Sequence, residues 1–152
     1  DLPMPAAEQR ETFDTVLGET LEEDCSLDVV QSVQERLQEM IQEHKERKEA
    51  EPLTLSVRTV KNVLEGCGVP ENRLEAFEEK YGEAFGADTE LSPRNLVDRK
   101  LQVKTPDVVI QVNPERSDLV QTRIINGAKY ILIRAEGGVE VNGVDIHIKE
   151  EQ

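Results

Sequence analysis

The stretch from Val108 to Ile148 constrains the fold of this chain more than any other. Two Asn-Gly pairs, at 126–127 and 142–143, interrupt a segment rich in β-branched residues. Asn-Gly between two apolar runs is the strongest short-range signal for a two-residue hairpin turn, because both turn residues must adopt positive φ. The stretch therefore predicts antiparallel hairpins, and we expect the preceding helices to pack against them.

A turn at Asn126-Gly127 also predicts the register of the first hairpin. The expected cross-strand pairs are Ile125 with Ala128, Arg123 with Tyr130 and Thr122 with Ile131. Because side chains alternate between the two faces of a strand, one face collects most of the large apolar residues. We expect this face to be the core face, and its members are Val120, Thr122, Ile124, Ile131 and Ile133.

Alternating patterns extend the β prediction on both sides of this hairpin. Leu101 and Val103 alternate with polar residues, and a turn at 105–107 leads to a second apolar strand at 108–112. Around Asn142-Gly143, the valines of 139–141 and the apolar residues of 144–146 predict another hairpin. The β part therefore spans about 96–148.

Helical periodicity replaces this alternation in the first 95 residues. Apolar residues recur every three or four positions, which is the spacing of an amphipathic helix. The predicted helices run from Ala6 to Leu21, from Leu27 to Ala50, from a cap at Ser56 to Gly66, and from Pro70 to Phe85. Residues 87–96 are predicted to be a loop, since Pro93 lies within a polar run.

These elements predict an α+β fold, with about four N-terminal helices followed by a C-terminal antiparallel β-sheet of four to six strands built from hairpins. A chain of 152 residues suits a single domain. We expect one domain over 1–152, with a helical part at 1–95 and the β part at 96–148. Because the chain begins without Met in a polar, Pro-containing stretch, we interpret it as a fragment of a longer protein, whose remainder is then one of its partners.

Charge and composition narrow the classes of function. The net charge is −14, and residues 1–51 alone hold 5 basic and 15 acidic residues. Such a surface repels phosphate backbones, so nucleic acid is not the expected partner. The sequence contains no run of 18 apolar residues, so it predicts no membrane span. Two cysteines and two histidines without a CxxC pair predict neither a zinc site nor a disulfide framework, and a reducing cytoplasm fits best.

The polar cluster at 113–118, NPERSD, is the candidate interaction loop. Its candidate residues are Asn113, Glu115, Arg116 and Asp118, with Arg123 close by in sequence. In one interpretation the loop is fixed by its own hydrogen bonds and by an ion pair of Arg116 with Asp118 or Glu115. In the other, Arg116 and Arg123 receive a carboxylate or phosphate. No nucleophile with a base accompanies them, so we predict no catalytic, cofactor-binding or metal-binding residues.

Three segments resemble one protein family. They are residues 104–143, which contain the specific run NPERSDLVQTR, together with residues 52–86 and 5–21. The chain, and its C-terminal part above all, is similar to the domain-of-unknown-function family numbered 4317, found mainly in Clostridia-like Firmicutes. The resemblance implies a bacterial protein with a longer N-terminus and assigns no activity to any residue.

The expected function is that of an uncharacterised cytoplasmic scaffold or protein-interaction domain without catalytic activity, and the expected partner is an unknown protein. The alternative is a nucleic-acid or nucleoid-associated protein that binds through a basic strip of the β part. That strip comprises Arg99, Lys100, Lys104, Arg116 and Arg123. A loss of binding with added salt would distinguish this alternative.

Overall fold

A computed structural model describes residues 4–150 of the chain. The described helices precede the described strands, as the sequence predicts. The α-helices are α1 (Ala6–Leu21), α2 (Leu27–Arg47), α3 (Val57–Gly66), α4 (Glu71–Phe85) and α5 (Pro93–Leu96). The strands are β1 (Leu101–Lys104), β2 (Val109–Val112), β3 (Val120–Ile125), β4 (Ala128–Ile133), β5 (Val139–Val141) and β6 (Val144–Ile146). Short 3₁₀ helices occupy Glu22–Asp24 and Pro114–Leu119.

The chain divides into two compact units, Asp1–Arg99 and Lys100–Gln152. We call them the helical unit and the β unit. Their boundary lies four residues after the predicted change at 95/96. The predicted α+β class is confirmed, whereas the expectation that the whole chain is one domain stays a prediction.

An aliphatic and aromatic core holds the helical unit together. Phe13 of α1 meets Phe77 of α4 edge-on, with ring centroids 6.3 Å apart, and both side chains are fully buried. Tyr81 continues this aromatic row, and its hydroxyl donates a hydrogen bond to the carbonyl of Thr89 at 3.1 Å. Burial, followed by the nearby Glu90 carboxylate, raises the pKa of Tyr81 to about 12.

The predicted helix boundaries agree with the structure except at two places. The long helix α2 begins after Ser26, whose hydroxyl accepts a hydrogen bond from the backbone N–H of Val29. It ends at Arg47, before the predicted Ala50, because Lys48 turns into the left-handed region at φ 52°. The predicted loop at 87–96 also contains α5. Pro93 occupies its first turn, where a missing N–H costs nothing, and Leu96 is fully buried.

Both Asn-Gly pairs form the predicted hairpin turns. Asn126 and Gly127 have φ of 50° and 82°, and Asn142 and Gly143 repeat these values closely. These positive angles at both central residues are those of a type I′ turn, which matches the twist of the flanking strands. The predicted register of β3 with β4 is confirmed at every expected pair.

The strands form three separate two-stranded sheets, not one sheet of four to six strands. β1 pairs with β2, β3 with β4 and β5 with β6, all antiparallel. The 3₁₀ helix Pro114–Leu119 separates the first two hairpins, and Gly137 with Gly138 separates the last two. Each hairpin is therefore a local structure fixed by its own turn and ladder.

The predicted core face of the β3–β4 hairpin is wrong for most of its members. Val120 is buried, but Ile124 is 73% exposed and Ile133 is 52% exposed. Thr122 is exposed as well, and Ile131 is half-buried. Alternation correctly assigned these residues to one face, but no further layer within the described part of the β unit covers that face.

Two further properties bear on compartment and membrane. Cys25 and Cys67 are free thiols, both partly buried against the helical core. Among the helices of residues 4–150, none is both long and apolar enough to cross a bilayer.

Candidate functional site

The polar loop at 113–118 takes part in a closed ring of four ion pairs. We call it the charge ring, and its members are Arg116, Asp118, Arg134 and Glu136. Arg116 contacts Asp118 at 3.1 Å and Glu136 at 2.6 Å. Arg134 contacts the same two carboxylates, each at 3.0 Å. Positive and negative groups alternate around the ring, so its net charge is zero.

Local backbone structure brings the four side chains together. The side-chain oxygen of Asn113 accepts a hydrogen bond from the N–H of Glu115 at 3.0 Å. This bond caps the start of the 3₁₀ helix. At the other end of that helix, the carbonyl of Leu119 accepts from the N–H of Arg134 at 2.8 Å. This bond continues the β3–β4 ladder by one pair and places the Arg116 loop beside the residues that follow β4.

The ring perturbs the pKa of its members. Hydrogen bonding from Arg116 is the main cause that lowers the pKa of Asp118 and of Glu136, and Arg134 adds to both. The same two carboxylates raise the pKa of Arg116. All four side chains remain about half exposed. Both guanidinium groups are thus occupied by carboxylates of this chain and not directed toward a separate anion.

The structure therefore favours the first interpretation of the NPERSD loop, in which its own hydrogen bonds and an Arg116–Asp118 pair fix it. The alternative pair, Arg116 with Glu115, does not form. Asn113, Glu115, Arg116 and Asp118 lie together in the loop, but Arg123 does not join them. It lies in β3 opposite Tyr130, close to the Asn126-Gly127 turn and away from the charge ring.

Sequence reasoning missed Arg134 and Glu136. A signal was present, because Arg134-Ala135-Glu136 repeats the Arg-x-acid spacing of Arg116-Ser117-Asp118. That repeat becomes meaningful once the hairpin register places the two triplets side by side.

A second feature lies on the same hairpin. Four large apolar side chains of β3 and β4 are each 41–73% exposed. We call them the hairpin surface, and they are Ile124, Ile125, Tyr130 and Ile133. The register places Ile124 and Ile133 on one face and Ile125 and Tyr130 on the other. Arg123, also exposed, neighbours Tyr130 and makes no ion pair within residues 4–150.

Two open clefts are found among the described residues of the helical unit. One, of about 400 Å³, lies between α3 and α4, where Lys61 and Glu78 form an ion pair. The other, of about 460 Å³, lies beside the end of α4 and is lined by Phe85, Leu91 and Asn95. In the second cleft the hydroxyl of Thr89 donates its hydrogen bond to the carbonyl of Phe85. Within the described part of the chain, no three His, Cys, Asp or Glu side chains are grouped so that they could hold a metal ion.

Comparison with protein families places most of the chain in a known family. The family model described as Domain of unknown function (DUF4317) matches residues 1–144 of the 152-residue chain. No curated protein and no solved structure matches. Since the matched region covers most of the chain, including both the helices and the hairpins, this protein belongs to the DUF4317 family.

Proposed function

We propose that this chain is a cytoplasmic scaffold or protein-interaction module without catalytic activity, and that it binds a partner protein through the hairpin surface. The observation that carries this proposal is the exposure of Ile124 and Ile133, at 73% and 52%. The largest apolar patch on a typical monomer covers about 300–600 Å² and is often functional. Ile124 and Ile133 lie on the same face of the hairpin, so together they contribute to one such patch.

The charge ring supports this role by fixing the hairpin for binding. Its four ion pairs join the loop before β3 to the residues after β4. A surface that is already ordered loses less entropy on binding. The ring thus acts as a structural clasp at the open end of the hairpin, while the Asn126-Gly127 turn fixes the other end.

The candidate residues of the interaction loop take different parts in this proposal. Arg116 and Asp118 support the hairpin through the ring, and Asn113 and Glu115 shape the turn that leads into it. Arg123 is a charged residue at the rim of the hairpin surface, opposite Tyr130. Charged rim residues steer encounter and select partners more than they add affinity. A partner is therefore expected to bring a carboxylate to Arg123.

Two properties support the compartment and the absence of catalysis in this proposal. Cys25 and Cys67 are free thiols, which fits a reducing cytoplasm. Among the described residues, the charge ring places no nucleophile beside a base. Turnover in a broad hydrolase and transferase screen, abolished by substitution of Arg116 or Arg123, would contradict the proposal.

Site-specific photo-crosslinking in cells tests the proposed surface. A benzoylphenylalanine placed at Ile124 is expected to form adducts with a partner protein, whereas one at the exposed Glu79 of α4 is not. The adducts should disappear with Ile133→Asp, which lies on the same face as Ile124, and persist with Gln121→Asp, which lies on the other face. Equal labelling from positions 124 and 79 would refute a specific hairpin surface.

Nucleic-acid association is the second candidate. Lys104 favours it, since this side chain is exposed and makes no ion pair within residues 4–150. The charge ring weighs against it, because two carboxylates occupy Arg116 of the basic strip. Binding to DNA or RNA that weakens steeply with salt and is lost in the double variant Lys100→Glu, Lys104→Glu would support it. Absence of binding at low salt would end it.

A further inference from the structure

The register of the β3–β4 hairpin determines which backbone groups face outward. In an antiparallel ladder, hydrogen-bonded pairs alternate with pairs that exchange no hydrogen bonds. The pair flanking a two-residue turn, Ile125 with Ala128, is hydrogen-bonded, and the bond from Arg134 to Leu119 confirms the same alternation at the other end. Lys129, Ile131 and Ile133 therefore direct their backbone N–H and C=O groups to the outer edge of β4. No strand pairs with that edge within residues 4–150.

This outer edge is complementary to itself. When two β4 strands pair antiparallel about Ile131, each Ile131 lies opposite its equivalent, and Lys129 lies opposite Ile133. Tyr130 then lies opposite Leu132. Like charges never face each other in this register, and aromatic–aliphatic cross-strand pairs are favourable. We call the contact between the two paired edges the seam. It buries Tyr130 and Ile133, which are 47% and 52% exposed in the single chain.

The outer edge of β3 is a poorer seam. Its outward groups belong to Val120, Thr122 and Ile124, so antiparallel self-pairing is centred on Thr122. That register places Gln121 opposite Arg123 and leaves polar side chains at the centre. Natural proteins protect exposed edges with Pro, charge or bulges. β4, AKYILI, has neither Pro nor acidic residue and carries one Lys.

Charge also selects the surface through which two copies can meet. The helical unit, residues 1–99, holds 11 basic and 24 acidic residues, whereas the β unit, residues 100–152, holds 7 and 8. Two helical units with a net charge of −13 each repel one another. Two β units with a net charge of −1 each do so only weakly, so like copies approach most favourably through their hairpins.

From this geometry we infer that β4 pairs with β4 of a second copy of the chain, antiparallel about Ile131, to form a four-stranded sheet in the order β3-β4-β4-β3. This inference goes beyond the proposed function, since it names a second copy of the chain as the occupant of the β4 edge and leaves Ile124 of β3 to another partner protein. The new backbone hydrogen bonds come from Lys129, Ile131 and Ile133, and the apolar seam comes from Tyr130, Ile131, Leu132 and Ile133.

Light scattering on the full chain across a concentration series tests this pairing with a matched pair of variants. The unsubstituted chain is expected to reach twice the mass of one chain. Ile131→Pro removes an outward N–H without breaking a bond inside the hairpin, and it should remain a monomer. Thr122→Pro makes the same change directly across the strand, on the other edge, and should still dimerise. A monomeric unsubstituted chain, or a dimer lost with Thr122→Pro but kept with Ile131→Pro, overturns the inference.

A cysteine variant keeps the test decisive where a Pro variant fails to fold. Ile131→Cys places two thiols opposite each other in the proposed pair, within disulfide reach, and oxidation should convert most of the chain to a covalent dimer. Thr122→Cys should give no more dimer than the unsubstituted chain, whose Cys25 and Cys67 set the background. Equal cross-linking at 122 and 131 contradicts the β4 seam. It would leave the proposed function standing, because photo-crosslinking to other proteins tests that function separately.

Discussion

The helical unit and the β unit of this chain use apolar residues in opposite ways. The helical unit buries sixteen of them in one core, including Phe13, Leu64 and Phe77, and carries nearly all of the excess negative charge. Within the described part of the β unit, Val120 is the one buried apolar residue. Turn chemistry and ladder hydrogen bonds specify a hairpin without burying it. Folding therefore uses the apolar side chains of the first unit and leaves many of the second available for binding.

Truncation of one aliphatic side chain in each unit should give the largest contrast. Leu64→Ala empties a fully buried position of α3 and is expected to lower the free energy of unfolding by about 2–5 kcal/mol. Ile124→Ala removes a side chain that is 73% exposed and should change it by no more than about 0.5 kcal/mol. Chemical denaturation at low protein concentration, where the chain is monomeric, measures both. A large loss with Ile124→Ala would mean that the hairpin is part of a core.

Alkaline pH should act on the helical unit. The pKa of Tyr81 is raised to about 12 in the folded state, so the neutral phenol stabilises the fold at pH values below its usual pKa of about 10. This contribution, about 3 kcal/mol, is lost as pH rises from about 10 through 12. Thermal unfolding followed between pH 8 and 12 measures the decline. The variant Tyr81→Phe serves as control and should show a flatter profile over that range.

A change at the turn should act on the β unit alone. Gly127 has φ of +82°, and Gly127→Ala is expected to cost roughly 1–3 kcal/mol because a Cβ is strained in that conformation. Gly138→Ala is the control, since its backbone is ordinary and nothing lies within 4 Å of the added Cβ. Hydrogen exchange should show faster exchange in β3 and β4 with Gly127→Ala, while amides of α1 and α4 keep their protection. Loss of protection in the helices as well would show that the units unfold together.

Acid should have the smallest of these four effects, which is a loss of stability of the β3–β4 hairpin. The pKa values of Asp118 and Glu136 are lowered by Arg116 and Arg134, so the ring stabilises the hairpin above the usual carboxylate pKa values of about 4. That stability is lost as pH falls through the lowered values. NMR titration of the side-chain carboxyl signals measures both groups. Midpoints in Arg116→Gln that are as low as those of the unsubstituted chain would contradict the assigned cause.

The features predictable from the sequence are those set by local chemistry. The start of α2 at Leu27 follows from its Ser26 cap, and the β3–β4 register follows from Asn126-Gly127. Burial of that hairpin was not predictable, because alternation assigns Ile124 to a face but does not say whether another layer covers the face. The charge ring was half predictable. Arg116 and Asp118 are two residues apart in sequence, whereas Arg134 joins them through the backbone bond to Leu119.

Residue-resolved hydrogen exchange at increasing protein concentration tests the central claim most directly. The claim is that the β unit keeps an apolar strand edge for association, while the helical unit is complete in itself. The amides of Lys129, Ile131 and Ile133 should gain protection as concentration rises, whereas those of Thr122 and Ile124 stay unprotected. Amides of α1 and α4 should not change with concentration. Outward β4 amides that exchange rapidly at every concentration would contradict the account.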